Sequence, residues 1–109
     1  MTTQDEIMAM DEDALNRAVA TVLLKMKNYP AEWAAHIVPN YSRKITLAYA
    51  LEARIPEGVS RSAYANILFD IVNPRGSGII WQLIHASPAD RCRAWLMTMG
   101  EVRKTLASN

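Results

Sequence analysis

Cys92 and His85 are the one pair in this chain that resembles a nucleophile and its base. A break at Ser87-Pro88 lies between them, so nothing in the spacing brings the imidazole to the sulfur. Cys92 also falls on an apolar helical stripe, where a cysteine behaves as a small hydrophobe. A zinc site needs several Cys or His ligands at matched spacing, and this chain offers Cys92, His36 and His85. Glu52 and Glu57 flank a turn with no second feature to divide them into acid and base. Residues 73–78 (NPRGSG) contain glycine but lack the lysine of a phosphate loop. Gly78 and Arg75 could hold an anion if a helix opened there; a plain turn is the simpler reading. These counts predict a protein that is not an enzyme and uses no metal and no cofactor.

The basic residues are better candidates for function. Arg43 and Lys44 open one predicted helix, and Arg91 and Arg93 lie near the start of another. With Arg61 and Arg75 they would form a patch if the helix starts share one end of a bundle. Such a patch could meet nucleic acid or an acidic protein groove. Met97 lies off the apolar stripe of its helix and is a candidate for a partner or dimer surface. Charge is unevenly spread. The first thirteen residues hold five acids and no base, leaving twelve bases against six acids in the rest. That excess is modest beside strongly basic nucleic-acid binders.

The elements that would position these groups read mostly as helices. Ser87 is an N-cap, Pro88 suits the first helical position, and Asp90 complements the dipole. Cys92, Trp95, Leu96, Met99, Val102 and Leu106 then recur on one face of a helix running to residue 106. Asp11 or Asp13 caps an earlier helix with Leu15, Val19, Val22, Leu23 and Met26 on one side, broken by Asn28 and Pro30. Pro30 opens a short turn of helix carrying Trp33, with Tyr29 beside it as a core or lid residue. Ser42 is expected to cap a helix over residues 43–54. Residues 60–72 fit a helix better than a strand, because Leu68 spoils the alternation and Ala63, Ala65, Asn66 and Asp70 are weak strand formers.

The predicted fold is therefore all-α: four main helices plus one or two short ones. The alternative is an α-β-β-α sandwich with a hairpin over residues 63–72 and 79–85. Residues 1–10 read as a flexible acidic leader, 11–106 as a single helical domain and 107–109 as a frayed tail. The expected core is Leu15, Val19, Val22, Leu23, Ile45, Ala48, Tyr49, Ile67, Leu68, Ile71, Leu83, Ile84, Cys92, Trp95, Leu96 and Met99.

Length and composition bound the rest. A chain of 109 residues with half its residues apolar has room for one modest core. No apolar run approaches a membrane span, and the acidic start is unlike a signal peptide. A single cysteine fits a reducing cytoplasm.

Three segments carry a resemblance. DEDALNRAVA contains an L-N-x-x-V-A pattern, PNYSRKITLAYALE a P-x-Y-S-x-x-I-x-x-A pattern, and ASPADRCRAWLMTMG an A-[ST]-P-x-x-R-C-x-A-x-L pattern. The set resembles small phage and prophage proteins of the NinX-like, ABA-sandwich type, over residues 13–100. The resemblance implies a phage or mobile-element origin and names no catalytic residue. It implies a binding protein in a bacterial cytoplasm that inhibits or redirects a host protein complex, anti-CRISPR and other anti-defence roles included. Its partner would be that complex, which could itself be a nucleoprotein; no membrane is expected, and the chain would be a monomer or homodimer. The alternative is a nucleic-acid-binding regulator using the basic patch.

Overall fold

The final helix, Pro88–Met99, is the axis of the fold, and it starts where its capping residues require. Ser87 Oγ accepts a hydrogen bond from the Asp90 N–H at 3.1 Å, and Pro88 occupies the first turn. Arg91, Cys92, Ala94, Trp95 and Leu96 are all buried, on several sides of the helix. A helix covered on that many sides has to be surrounded. Four others pack on it: α1 (Gln4–Ala9), α2 (Glu12–Met26), α3 (Ile45–Glu52) and α4 (Val59–Val72), which makes Pro88–Met99 α5. A 3-10 turn, Ala31–Ala35, packs against α2.

The computed structural model describes residues 2–35, 38–72, 83, 85–100 and 102–103. Among them the architecture is all-α, with five helices and the 3-10 turn. The one extended pairing among these residues joins Thr2–Thr3 to Val102–Arg103 in parallel, two residues a side. Residues 60–72 form the expected helix, not a strand. Of the second segment proposed for a hairpin, residues 79–82 and 84 lie outside the described residues, as do Ile84 of the expected core, Leu106 and the tail 107–109.

The centre of the core is Trp95. It has no exposed surface, and its indole N–H donates to the Leu51 carbonyl at 3.0 Å. That carbonyl belongs to the last turn of α3, where helix geometry leaves acceptors open. The carbonyl, which also accepts from the Arg54 N–H at 3.0 Å, gives the buried indole its partner and ties α3 to α5. Leu15 and Val19 of α2, Ile55 after α3, and Tyr64 and Leu68 of α4 close the cluster with Cys92 and Leu96. Val22, Leu23, Ile67, Ile71, Leu83 and Met99 pack partly buried against it.

The chain departs from the sequence expectations at four joints. The stretch expected to be a flexible leader carries α1. Thr3 and Glu6 make a reciprocal capping box, and Ile7 is buried against the core. Ser42 does not cap α3; Lys44 takes that position with no side-chain bond, and α3 begins at Ile45. Ser42 is buried instead. Its N–H donates to Asn16 Oδ1 at 2.8 Å and its hydroxyl donates to the Glu12 carbonyl at 3.0 Å, so it ties the loop to α2. The last helix stops at Met99, because Gly100 is extended and Val102–Arg103 pairs with the N-terminal strand. Tyr49, expected in the core, is half exposed, because it sits on the outer side of the short α3 beneath a guanidinium.

Helix α2 ends as its sequence requires. Asn28 adopts a left-handed φ of 63°, which Asn tolerates better than most residues. Its N–H donates to Lys25 O, and the Tyr29 N–H reaches back to Leu24 O at 2.9 Å, the two bonds of a Schellman close.

The Asn16 side chain accepts from Ser42 and donates to Asn40 Oδ1 at 3.0 Å. Asn16→Ala should lower unfolding free energy by about 1–3 kcal/mol, since it orphans a buried N–H. Urea denaturation checks this; a change within about 0.5 kcal/mol, ordinary for an exposed position, would remove the role given to Asn16.

Candidate functional site

The basic residues expected to form one patch are placed at separate joints of the fold. Arg91 is buried at 7% exposure. Its Nε donates to Ala86 O and its Nη2 to Leu83 O, each at 3.1 Å, and its Nη1 pairs with Glu52 Oε2 at 2.7 Å. The Tyr64 hydroxyl donates to the same Glu52 oxygen, and the guanidinium lies 5.0 Å from the centre of the Tyr49 ring. A cation held this way is part of the core and unavailable to a partner. Arg93 is also committed, to Asp90 at 2.9 Å and to the Met10 carbonyl at 3.0 Å, where it fastens the α1–α2 joint to α5.

Arg43 is exposed but sits between Glu12 at 3.0 Å and Asp13 at 3.2 Å, so two carboxylates at the start of α2 offset its charge. Arg61 donates to Ile55 O and lies 3.6 Å from Glu57. Lys44 is exposed at the α3 N-cap, and Met97 is half-buried against the core cluster. Arg75 and His36 lie outside the described residues. The expected single patch of helix starts is therefore not assembled by Arg43, Arg61, Arg91 and Arg93: each bonds to a different part of its own chain, although Arg93 Nε is buried without a hydrogen-bond partner.

The nucleophile reading fares no better. Cys92 has no exposed surface and His85 is exposed. Burial pushes the thiol up to about 12, with Arg93 opposing only in part. A reactive cysteine needs the opposite shift. Burial, foremost, and the bond to Glu52 also raise Tyr64 well above an ordinary phenol. Among the described residues, no three His, Cys, Asp or Glu side chains gather as a metal site, and no helix is long and apolar enough to cross a membrane.

What the fold does leave facing water is aromatic. Tyr29 and Trp33 stack with ring centroids 5.2 Å apart and planes 22° from parallel, yet each is about half exposed (50% and 44%). The Schellman close of α2 sets Tyr29, and the 3-10 turn after Pro30 sets Trp33 four residues on. Met26 and Val38, on the segments either side, are exposed as well. Trp33 and Tyr29 border a cleft of about 220 Å³ with Leu23, Leu24 and Pro39 on its walls. Ala20, Tyr41, Lys27 and Arg54 complete it. Desolvation raises the Tyr41 phenol, and the neighbouring Arg54 charge opposes that shift. A second cleft of about 520 Å³ lies between α2 and the loop at Asn40; Asn16, Asn40, Asp13 and Arg43 on its walls are bonded to one another or to the backbone, and the exposed Arg17 also lines it.

In the sequence Tyr29 and Trp33 read as core or lid residues, Lys27 as a charge favouring the end of its helix and Arg54 as part of a helical row, and nothing in the spacing brings the two cations together. The local signal is an aromatic pair four apart whose first member, Tyr29, is the middle residue of the helix-ending Asn28-Tyr29-Pro30. Comparisons of the chain with protein-family models, curated proteins and solved structures gave no match.

Two outcomes test this assignment of roles. Arg91→Met should cost about 2–4 kcal/mol in denaturant unfolding, because Glu52 loses its cation in a partly buried setting; an unchanged midpoint would return Arg91 to the surface candidates. Because folding raises the Cys92 thiol, the folded state binds more protons above pH 9, and stability should fall there. The expected slope is about 1.4 kcal/mol per pH unit for this one group, and Cys92→Ala should flatten the limb just above pH 9. An unaltered limb in the variant would show that the thiol does not titrate against burial.

Proposed function

We propose that this chain is a non-enzymatic binding protein that docks on a partner protein through the surface formed by Tyr29 and Trp33. The single observation that carries this reading is the stacked Tyr29–Trp33 pair, of which about half of each residue faces water. Apolar side chains gathered in that way are informative as a patch, and rigid aromatic anchors concentrate interface energy. The commitment of Arg43, Arg61, Arg91 and Arg93 to bonds within the chain favours a protein partner over the nucleic-acid alternative.

The resemblance of the L-N-x-x-V-A, P-x-Y-S and S-P-x-x-R-C segments to small phage proteins supports a narrower form. In that form the chain acts in the cytoplasm of a bacterial host and inhibits or redirects a host complex, as an anti-CRISPR or other anti-defence protein does.

Affinity purification of the tagged chain from cells with an active CRISPR or other defence complex, paired with phage plating on the same cells, tests the proposal. The wild-type chain should retain the defence complex and restore plating. Trp33→Ala combined with Tyr29→Ala should lose both, while its thermal midpoint stays within a few degrees because both rings are half exposed. Retention of the complex by the double variant would overturn the assigned surface. No retained complex, together with steeply salt-dependent mobility shifts on DNA or RNA, would overturn the protein-binding reading in favour of the regulator.

A further inference from the structure

The cleft beside Trp33 specifies more than a general docking face. At about 220 Å³ it is smaller than the pockets that enclose a free small-molecule ligand, which run from roughly 300 Å³ upward. Its walls are apolar: Leu23 and Leu24 from the last turns of α2, the Trp33 ring, and Pro39. Space of this size and lining suits one large side chain entering from outside. Two cations, Lys27 and Arg54, border the same opening. Unlike Arg43, Arg61, Arg91 and Arg93, neither forms an ion pair among the described residues. Lys27 sits at the C-cap of α2, and Arg54 follows the end of α3, so both cations stand at negative helix ends, which hold them in place without neutralising them as a carboxylate would.

We infer that this cleft receives a single large apolar side chain from a partner protein segment, and that Lys27 and Arg54 bind carboxylates flanking that side chain. The inference rests on the protein-binding reading and supplies its partner chemistry: an acidic segment with one apolar anchor. A nucleic-acid strand fits less well. Strand tracking uses a run of cations along a groove and open ring faces for successive bases. Here two cations border one pit, and each ring covers one face of the other.

A random-peptide library displayed on yeast and selected on the whole chain tests this, with oligo-deoxythymidine as a separate probe. Enriched peptides should share one large apolar residue with Asp or Glu close on either side. A synthetic copy should shift the Trp33 indole resonance saturably. The double variant Lys27→Glu/Arg54→Glu should weaken it by about tenfold or more. Leu24→Ala, which keeps the charges, should weaken it as well, and circular dichroism identifies any variant that fails to fold. Enriched sequences without acids, binding indifferent to the charge reversal, or a selection with no binders would each overturn the inference. So would oligo-deoxythymidine shifting the Trp33 indole where peptides do not. If the defence complex is retained by wild type and by Lys27→Glu/Arg54→Glu alike, the docking surface stands and the acidic-segment inference falls; if wild type retains nothing, the docking proposal falls first.

Discussion

A guanidinium removed from water is the constraint around which this chain is arranged. Burying a cation costs several kcal/mol unless its donors are met. Arg91 meets that requirement with three groups from two parts of the chain: the Leu83 and Ala86 carbonyls ahead of α5, and Glu52 at the end of α3. Glu52 in turn accepts from Tyr64 of α4. The pairing therefore fixes the relative placement of α3, α4 and α5 and the approach of the chain into α5. One turn further along, Trp95 repeats the α3–α5 attachment through Leu51 O. Between these two polar anchors the apolar cluster of Leu51, Ile55, Leu68 and Leu96 is set in register.

The same logic explains why the arginines cannot be a common surface. Each helix start that carries one is also a joint that needs a donor. Arg93 meets the Met10 carbonyl between α1 and α2, Arg61 meets the Ile55 carbonyl between α3 and α4, and Arg43 meets the acids at the start of α2. In a chain with many short helices, loop carbonyls and capping acids are numerous, and forked donors are drawn to them. The residues that carry the phage-like patterns behave likewise: Leu15, Asn16, Ser42, Arg91 and Cys92 are all buried. Those patterns encode the joints and the core. The exposed aromatic pair lies elsewhere, where a left-handed Asn28 and a 3-10 turn bring Tyr29 over Trp33.

Local signals determined much of this protein by themselves. Ser87 and Asp11 cap the helices they precede, Asn28 and Pro30 stop α2, and the period of Leu15, Val19, Leu68, Trp95 and Leu96 identifies the buried faces. These are properties of neighbours along the chain, and hydrogen bonds over three or four residues enforce them wherever the chain folds. The capping box of Thr3 and Glu6 was equally local, though the acidity of its surroundings suggested a leader.

Tertiary structure decided the rest, because it depended on which distant group arrived at each site. Ser42 could cap its own helix or bridge to Asn16, and only the approach of α2 selected the bridge. Arg91 could face water or Glu52, thirty-nine residues away in sequence, and no periodicity distinguishes the two. Tyr49 carries a core-like ring, but in the packed chain it lies half exposed with the Arg91 guanidinium over its ring. The cleft beside Trp33 has contributions from α2, the 3-10 turn, the Pro39–Tyr41 loop and Arg54, so its two cations became neighbours only on folding. Neighbouring residues settled most helix starts and apolar faces; the packed chain alone determined which charged side chains pair within the fold and which, like Lys27 and Arg54, form no ion pair among the described residues.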